Sequence, residues 1–374
     1  MPEAGACGMG KDKALESRLR RVGREASRAG LQGIIVVPGP NLRYLTGVRS
    51  FLMERPFMLM VPASGMPQLV VPALEAGPYR GAGVELGIND WTDSAGSSGA
   101  IVKAVKNLGA RGRWGVEGRA PFLFLDRLLK HARVSLRDAE PILQGVRERK
   151  DEAEVKSLKR SARILSDSFR QFPGLLTPGI TEAELARKVT DVIYSEGATK
   201  VDDVLVQSGP HAAVPHAQPS GRKLARGESL VIDIGSTFDG YYADITRTFC
   251  LGHSLEVERT YDEVLSAQRK AIAAAGEGVR AGAVDAAARE HLKRAGLGEY
   301  FTHRTGHGLG LEVHEAPYIV EGGEERLAKS MFFTVEPGAY LPGRLGVRIE
   351  DDVTIEGRKA LEITGPPKEY GWWQ

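Results

Sequence analysis

The sequence has few cysteines, little net charge and no long apolar run. Its two cysteines, Cys7 and Cys250, exclude a framework of disulfides and favour a reducing compartment. A formal net charge of +2 argues against a dedicated nucleic-acid-binding protein, which needs a basic surface. No segment approaches the ~18 apolar residues of a membrane span, and the N-terminus has no apolar signal core. These absences favour a cytoplasmic protein with no nucleic-acid or membrane partner.

The length and the patterns along the chain predict two domains. With 374 residues, 42% hydrophobic and 26% charged, the composition is that of an ordinary folded protein too long for one core. Strand patterns such as GIIVV and FMLMV alternate with helical patterns in the first part of the chain. A long charged helix pattern then begins at Arg147, followed by a strand-rich remainder with helices. We therefore predict an α/β domain over 1–148 and an α+β domain over 149–374.

Local patterns predict individual elements within these domains. The basic segment 11–30 has apolar residues at helical spacing, which predicts a solvated amphipathic helix. The segment GIIVVPGPNLRYLTGV predicts a buried strand followed by a turn. Thr181 and Glu184 form a capping-box pattern that opens a helix over Glu182–Ser195. A further helix is predicted over Tyr261–Gly276.

Two aspartates stand inside a predicted β-hairpin, VIDIGSTFDGYYADITRTF (residues 231–249). With the turn centred between Phe238 and Asp239, Asp233 lies directly opposite Asp244 on one face. The other face is an apolar core surface made of Ile232, Ile234, Ala243 and Ile245. Like charges directly opposite one another destabilise a sheet. Solvation of the carboxylates, a shared proton or a bound cation would each relieve the repulsion.

Three other segments place polar residues in apolar surroundings. They are HRTGHGLGLEVHEAP (303–317), FFTVEPGAY (332–340) and GVRIEDDVTI (346–355). The last is predicted as one strand with Arg348, Glu350 and Asp352 on one face. Taken singly, each segment has an ordinary interpretation, such as a hydrogen-bonded core histidine or the exposed face of a strand.

Taken together, the segments and the hairpin supply four carboxylates and one imidazole: Asp233, Asp244, His307, Glu336 and Glu350. The four negative charges match two divalent cations. Carboxylate-rich ligation with a single histidine suits Mn²⁺, Co²⁺ or Zn²⁺. Two such ions about 3.5–4 Å apart can activate water and polarise a carbonyl group, as in dinuclear hydrolases.

These residues resemble the pita-bread metallopeptidases, the family of methionine aminopeptidase, prolidase and aminopeptidase P. The ligand order Asp, Asp, His, Glu, Glu is matched position by position, and HRTGHGLGLEVHE is similar to the signature of the proline-specific branch. NLRYLTG (41–47) is similar to the N-terminal domain that prolidase, aminopeptidase P and creatinase share. The resemblance implies a pita-bread catalytic domain preceded by a smaller creatinase-like α/β domain.

The resemblance also implies how the metal ligands divide their work. Asp233 would bind one ion, Asp244 and Glu350 would bridge both, and His307 and Glu336 would complete the second. Glu336 would in addition accept the proton of the attacking water. Two divalent ions per chain are expected, with Mn²⁺ preferred and Co²⁺ or Zn²⁺ as alternatives.

Further residues fall on family positions around the ligands. His216, His303 and His314 would orient the substrate and stabilise the tetrahedral intermediate and the leaving prolyl nitrogen. Arg348 would lie beside the bridging Glu350. Tyr242 is expected near the two aspartates, whereas His211 is left outside the site.

The implied activity is cleavage of the Xaa-Pro bond in short proline-containing peptides. The compact chain and the short segment between Glu336 and Arg348 favour a dipeptidase, with Arg344 as a candidate to bind the dipeptide carboxylate. The alternative is an aminopeptidase P that trims longer peptides. A metal-free creatinase-type C–N hydrolase and an inactive pita-bread binding module are further alternatives, which the five retained ligands disfavour. The resemblance also implies a homodimer.

Overall fold

The computed structural model describes residues 5–373, and the chain divides into two compact units that meet between Arg147 and Glu148. The N-terminal unit contains six helices: α1 (Gly5–Arg28), α2 (Pro40–Thr46), α3 (Gly77–Arg80), α4 (Ser98–Leu108), α5 (Phe122–Leu129) and α6 (Glu140–Arg147). Its strands are β1 (Gly33–Val36), β2 (Met58–Pro62), β3 (Gln68–Pro72), β4 (Gly87–Trp91), β5 (Arg111–Val116) and β6 (Arg133–Asp138).

These strands form one mixed sheet in the order β4-β3-β2-β1-β5-β6. β2 is antiparallel to β1 and β3, whereas β1, β5 and β6 run parallel. One core packs Ile35, Met60 and Trp114 of the sheet against Ile101 of α4 and Phe124 of α5. The unit is therefore the α/β domain expected from the sequence.

The predicted strand and Pro/Gly turn are present as β1 and a turn at Pro38–Gly39, and helix α2 follows directly over Pro40–Thr46. Pro40 stands in the first turn of the helix, where a missing N–H costs nothing. Gly47 ends it in the left-handed conformation, with φ 70°, and its N–H donates to the carbonyl oxygen of Arg43. Pro40 and Gly47 therefore mark the two ends of this short helix.

The C-terminal unit contains four α-helices: α7 (Glu152–Phe169), α8 (Glu182–Ser195), α9 (Leu255–Ala274) and α10 (Ala281–Arg294). Its first strands are β7 (Lys200–Ser208), β8 (Ser229–Phe238), β9 (Tyr241–Cys250), β10 (Gly306–Gly308) and β11 (Glu315–Ile319). The remaining strands are β12 (Phe332–Val335), β13 (Gly338–Leu341), β14 (Leu345–Arg348), β15 (Asp351–Glu356) and β16 (Lys359–Glu362).

Two helix-backed antiparallel sheets make up most of this unit. The sheet β7-β8-β9 packs its apolar face on α7 and α8, with Phe169, Ile193 and Ile232 in a shared core. The sheet β11-β10-β12-β15-β16 packs Phe333 and Val353 on α9 and α10. β13 and β14 form a separate two-stranded sheet. The expected α+β class is confirmed.

Two sequence-based element predictions need correction, and one is confirmed. The segment 346–355 is two strands in different sheets, because β14 pairs with β13 and β15 pairs with β12. Helix α9 begins at Leu255 rather than Tyr261, with Ser254 capping its N-terminus. The capping box of Thr181 and Glu184 at the start of α8 is present.

No helix within residues 5–373 combines the length and the apolar composition that a membrane crossing requires.

Candidate active site

The hairpin β8–β9 brings its two aspartates to one face, but not directly opposite each other. Asp233 pairs with Thr246, and Asp244 pairs with Gly235. The two-residue turn Asp239–Gly240 has φ values of 47° and 74°, as a type I′ turn requires. The predicted pairing is therefore wrong by two positions. Both aspartates stay on the predicted face of the hairpin, but their carboxylates are diagonal neighbours and not a directly opposite pair. The predicted apolar face is confirmed, since all four of its residues lie in the core.

Gly235 lets the Tyr242 side chain lie across the hairpin beside the aspartates. A Cβ atom at Gly235 would collide with the Tyr242 hydroxyl. The backbone N–H of Tyr242 donates to the carbonyl oxygen of Gly310 over 2.7 Å, which ties the hairpin to the HRTGHGLG segment. Tyr242 is thus buried next to the aspartates, as expected from the sequence.

Three of the five predicted ligands converge closely. One side-chain donor atom each of Asp244, His307 and Glu350 lies within 4.8 Å of the others, and all three residues are buried. Glu336 joins them, with its Oε1 atom 3.4 Å from Nε2 of His307. Glu350 lies in the irregular step between β14 and β15, where its N–H donates to the carbonyl oxygen of Thr246 on β9. The change of sheet is what brings Glu350 beside Asp244.

Glycines on both sides of His307 allow the backbone to be crowded. A Cβ atom at Gly306 would overlap the carbonyl oxygen of Thr334, and one at Gly308 would overlap that of Ala316. The imidazole Nδ1–H of His307 donates to the carbonyl oxygen of Gly308 over 3.1 Å, which leaves Nε2 facing the carboxylates. The GHG sequence therefore serves close strand packing and orients one ligand.

Two threonines that the sequence analysis missed hold the ligands in place. The Thr334 hydroxyl accepts from the N–H of His307 over 3.1 Å and donates to Oε1 of Glu336 over 3.1 Å. The Thr246 hydroxyl donates to Oε2 of Glu350 over 2.6 Å. Each threonine lies two residues from a predicted ligand on the same strand face, which is the signal that could have found it.

The pKa values show how unfavourable this arrangement is without a cation. Burial and the charge of the Asp233 carboxylate raise the pKa of Asp244 well above its usual range. Burial and Asp244 do the same to the pKa of Glu350, and burial raises the pKa of Glu336 to about 7. Burial, followed by the neighbouring His314, lowers the pKa of His307 to about 3.

Arg348 donates hydrogen bonds to three side chains at the edge of the ligand cluster. One guanidinium nitrogen donates to Oδ2 of Asp233 over 2.5 Å and another to the hydroxyl of Tyr340 over 2.8 Å. Its Nε–H donates to the Thr246 hydroxyl over 3.2 Å. Arg348 therefore orients Asp233 and, through Thr246, Glu350.

His303 is joined to the same network. Its Nδ1–H donates to the carbonyl oxygen of Arg304 over 2.7 Å, so its Nε2 accepts from the Tyr340 hydroxyl over 2.8 Å. Burial, with Arg348 next, lowers the pKa of His303 to about 4. Both ring nitrogens are thus occupied by protein partners, and Tyr340, which was not singled out from the sequence, links His303 to Arg348.

His216 and His314 are exposed at the site. The His314 ring lies edge-on to that of His307, with the ring centroids 4.2 Å apart. His216 stands in a loop whose carbonyl groups at Pro215 and Ala217 both accept from the side-chain amide of Gln207, each over 3.0 Å. These two histidines have surfaces that a substrate can reach.

Two remaining expectations have clear outcomes. Arg344 lies at the surface in an ion pair with Glu256 of α9, so its proposed part in carboxylate binding is not supported. His211, which was left outside the site, donates from Nδ1 to the buried carboxylate of Glu182 over 2.9 Å.

The donor set fits divalent metal ions. Among the residues that the structure describes, Arg348 is the one arginine or lysine that forms an ion pair with any of the four carboxylates, and it binds Asp233. The buried Asp244 and Glu350 and the partly buried Glu336 are left as acids with raised pKa values around one oriented imidazole nitrogen. Oxygen-rich ligation with one nitrogen suits divalent cations of intermediate softness.

Comparisons with known proteins agree with this site. Residues 156–357 match the model of metallopeptidase family M24, and residues 18–149 match the creatinase/prolidase N-terminal domain. The chain is 41% identical to the probable dipeptidase PepE of Mycobacterium tuberculosis, over 94% of this chain and 95% of that protein. It is 30% identical to the Xaa-Pro dipeptidase of Pyrococcus horikoshii, over 95% and 99%.

A solved structure is similar as well. The recombinant prolidase from Thermococcus sibiricus superposes with a TM-score of 0.89 at 35% identity, covering 95% of this chain and 98% of that one. The chain therefore belongs to metallopeptidase family M24 and carries a creatinase/prolidase N-terminal domain. The expectation of a metallopeptidase with pita-bread architecture is confirmed.

Proposed function

We propose that this protein is an Xaa-Pro dipeptidase, which hydrolyses the bond between an N-terminal residue and a C-terminal proline. The observation that carries the proposal is the buried convergence of Asp244, His307 and Glu350, with Glu336 beside His307. The names of the similar proteins, two dipeptidases and a prolidase, favour this activity over that of an aminopeptidase P.

Two divalent ions would be held by the five predicted ligands. Asp233 would bind one ion, His307 and Glu336 the other, and Asp244 and Glu350 would contact both. When bound, the ions would lower the pKa of a water molecule and polarise the scissile carbonyl group. We propose Mn²⁺ as the resident metal, with Co²⁺ and Zn²⁺ as alternatives, because the ligand set is rich in oxygen.

Glu336 is the proposed proton acceptor for the attacking water. Its carboxylate accepts a hydrogen bond from the Thr334 hydroxyl over 3.1 Å and lies beside Nε2 of His307. Bound cations would reduce the repulsion between Glu336 and the other carboxylates, and so would favour the ionised form that can accept a proton.

The prolyl nitrogen has no N–H and leaves only if it is protonated. We assign this task and the orientation of the substrate to His216 and His314, whose rings are accessible. His303 would act through Tyr340, to which its Nε2 atom is bonded, and so position Arg348. Arg348 in turn keeps Asp233 in place.

The test compares three peptides after metal removal and after reloading. Protein treated with EDTA is expected to lose activity, and added Mn²⁺ should restore cleavage of Ala-Pro but not of Ala-Ala, as measured by HPLC. Metal analysis should give two ions per chain. Faster removal of alanine from Ala-Pro-Pro than from Ala-Pro would identify an aminopeptidase P. Undiminished cleavage after complete metal removal would contradict the proposed mechanism.

Three further properties belong to the proposal. The family resemblance supports a homodimer, and the low cysteine content supports a cytoplasmic location. We place the boundary between the two domains at residues 148 and 149.

A further inference from the structure

A dipeptide substrate presents a charge that a longer peptide lacks at the same place. In Xaa-Pro the free carboxylate carbon lies about 2.5 Å from the scissile nitrogen, two bonds away across Cα. A dipeptidase therefore needs a cation close to its reacting groups. That cation must not already be neutralised by a protein carboxylate.

Most cations near the site are already paired. The partners are Asp233 for Arg348, Glu315 for Lys150, Glu256 for Arg344 and Asp285 for Arg289. Arg348 also donates hydrogen bonds to the hydroxyl groups of Tyr340 and Thr246, and the residue is 3% exposed. None of these side chains can give a bidentate contact to a substrate without giving up an existing partner.

Arg304 differs from these residues. Its guanidinium carbon lies 4.8 Å from the centroid of the Tyr318 ring, and the residue is half-buried. Among the side chains that the structure describes, no carboxylate lies within ion-pair distance of it. Stacking on the ring face restrains the plane of the guanidinium but leaves the N–H groups at its edge free for an anion.

The strand register places Arg304 on the side of the metal ligands. Tyr318 of β11 is directly paired with His307 of β10, and directly paired residues in an antiparallel sheet project from the same face. Because Arg304 stacks on Tyr318, its charge is held on the face from which His307 reaches the carboxylates.

The electrostatics agree with this position. Burial lowers the pKa of His314, and the positive charge of Arg304 lowers it further. Burial also raises the pKa of Glu336, and the positive charge of Arg304 is among the causes that lower it. The cation therefore lies within electrostatic reach of the group proposed to act at the leaving nitrogen.

We propose that Arg304, stacked on Tyr318, binds the C-terminal carboxylate of the substrate and so selects dipeptides. This inference rests on the dipeptidase function proposed above. The contact is bidentate, since a planar guanidinium matches the two oxygens of a carboxylate.

The experiment compares Ala-Pro with Ala-Pro amide, which has no terminal charge, in the Mn²⁺-loaded protein. The wild type is expected to prefer Ala-Pro. Arg304→Gln should lower kcat/KM for Ala-Pro about 10- to 100-fold, chiefly through KM, because one charged hydrogen-bonded contact is lost. The ratio of kcat/KM between Ala-Pro and the amide should then fall towards one, and Arg304→Lys should restore part of it.

The matched control is Arg344→Gln, which removes an exposed cation paired with Glu256 and should keep the wild-type ratio. Metal content measured on each variant must remain that of the wild type. Equal losses of Arg304→Gln on both substrates, or an unchanged ratio, would overturn the assignment of Arg304 while leaving the dipeptidase function intact. Failure of the loaded wild type to cleave Ala-Pro would overturn both.

Discussion

Glu350 and Asp351 are neighbours in the chain, both are buried, and their pKa values are displaced in opposite directions. Burial and the nearby carboxylates raise the pKa of Glu350 well above its usual range. Burial acts on Asp351 in the same sense, but Arg247 and Lys368 overcome it and hold the pKa of Asp351 below its usual range. Glu350 directly precedes β15 and Asp351 begins it, and the two carboxylates point into two different environments.

The environment of Asp351 is complete within the fold. Its Oδ1 accepts from Arg247 over 2.7 Å, and its Oδ2 accepts from Lys368 over 3.0 Å and from Gln268 over 2.7 Å. Arg247 is fully buried and also donates to the carbonyl oxygen of Glu350 over 2.5 Å. This cluster anchors the start of β15, directly after Glu350.

The environment of Glu350 is incomplete without a cation. Its one described side-chain partner is the hydroxyl of Thr246, and its neighbours Asp244 and Glu336 repel it. A buried carboxylate whose cation is a side chain serves stability. A buried carboxylate that faces only other carboxylates indicates a cation from outside.

Arg247→Met should produce the largest loss of stability. It leaves Asp351 with Lys368 as its remaining cationic partner, and breaking a buried ion pair on one side costs about 3–5 kcal/mol. Urea denaturation followed by circular dichroism measures the change in the free energy of unfolding. The control is Arg269→Met, whose ion pair with Glu369 is exposed and worth about 0–1 kcal/mol. Equal effects of the two variants would refute the distinction.

Asp244→Asn should have the opposite profile. Turnover should fall by a factor of about 10³ or more, since metal polarisation is worth several kcal/mol in the transition state. The metal-free variant should be at least as stable as the metal-free wild type, because a repelled carboxylate has been removed. Metal analysis, Ala-Pro hydrolysis and thermal unfolding after EDTA treatment check the three expectations. A strongly destabilised metal-free variant would show that Asp244 is a structural residue.

Thr246→Val should weaken metal binding without removing a ligand. The hydroxyl that orients Glu350 and accepts from Arg348 is lost, and such outer contacts change metal affinity about 10- to 100-fold. Titration with Mn²⁺ monitored by calorimetry measures the affinity. Thr246→Ser keeps the hydroxyl and should bind as the wild type does. If both variants bind equally well, the contact to Glu350 has no part in metal binding.

Glu117 in the N-terminal unit is the intermediate case and should give the smallest effect. It is buried and accepts from the N–H of Val37 over 2.6 Å and from the amide of Asn41 over 2.5 Å. Burial outweighs these contacts and raises its pKa to about 7. The folded state therefore binds the proton more tightly than the unfolded state, and the stability this contributes is full below pH 4.5 and lost as the pH rises through 7.

Glu117→Gln should remove that dependence on pH. The free energy of unfolding of the wild type should fall by about 1–3 kcal/mol between pH 4.5 and 7 more than that of the variant. Denaturation curves at several pH values measure the slope. Glu16→Gln, at an exposed position of α1, is the control and should retain the wild-type slope. A slope that is the same in all three proteins would show that folding does not raise the pKa of Glu117.

Several features of the site followed from the sequence because they are local. The alternation along 231–249 predicted an apolar face of isoleucines and a polar face with both aspartates, and the structure has both faces. The errors arose where two local solutions compete. The hairpin turn lies one residue later than predicted, because Asp239 and Gly240 adopt the type I′ conformation that suits a two-residue turn. The segment 346–355 alternates like one strand, although Glu350 marks a change of partner strand.

Other features could not be read from the sequence because they join distant segments. The sequence does not single out Arg304 as a binding residue, because an arginine beside histidines in a glycine-rich segment has many ordinary interpretations. Its importance comes from its surroundings: its guanidinium lies over the Tyr318 ring, and among the described side chains no carboxylate pairs with it. In the same way, only the fold shows that the Tyr340 hydroxyl links His303 to Arg348 by hydrogen bonds.

The sequence by itself determined the set of chemical groups, since the order and type of four carboxylates and one histidine in apolar surroundings favour the binding of divalent metal ions. Local periodicity also determined which face of the hairpin those groups occupy, because side-chain direction in a strand depends only on parity. Tertiary structure alone decided which charges are neutralised inside the fold. Arg247 meets Asp351 across 104 residues, and Arg348 meets Asp233 across 115. Electrostatic interactions act over distances in space, which the chain sets only when it has folded.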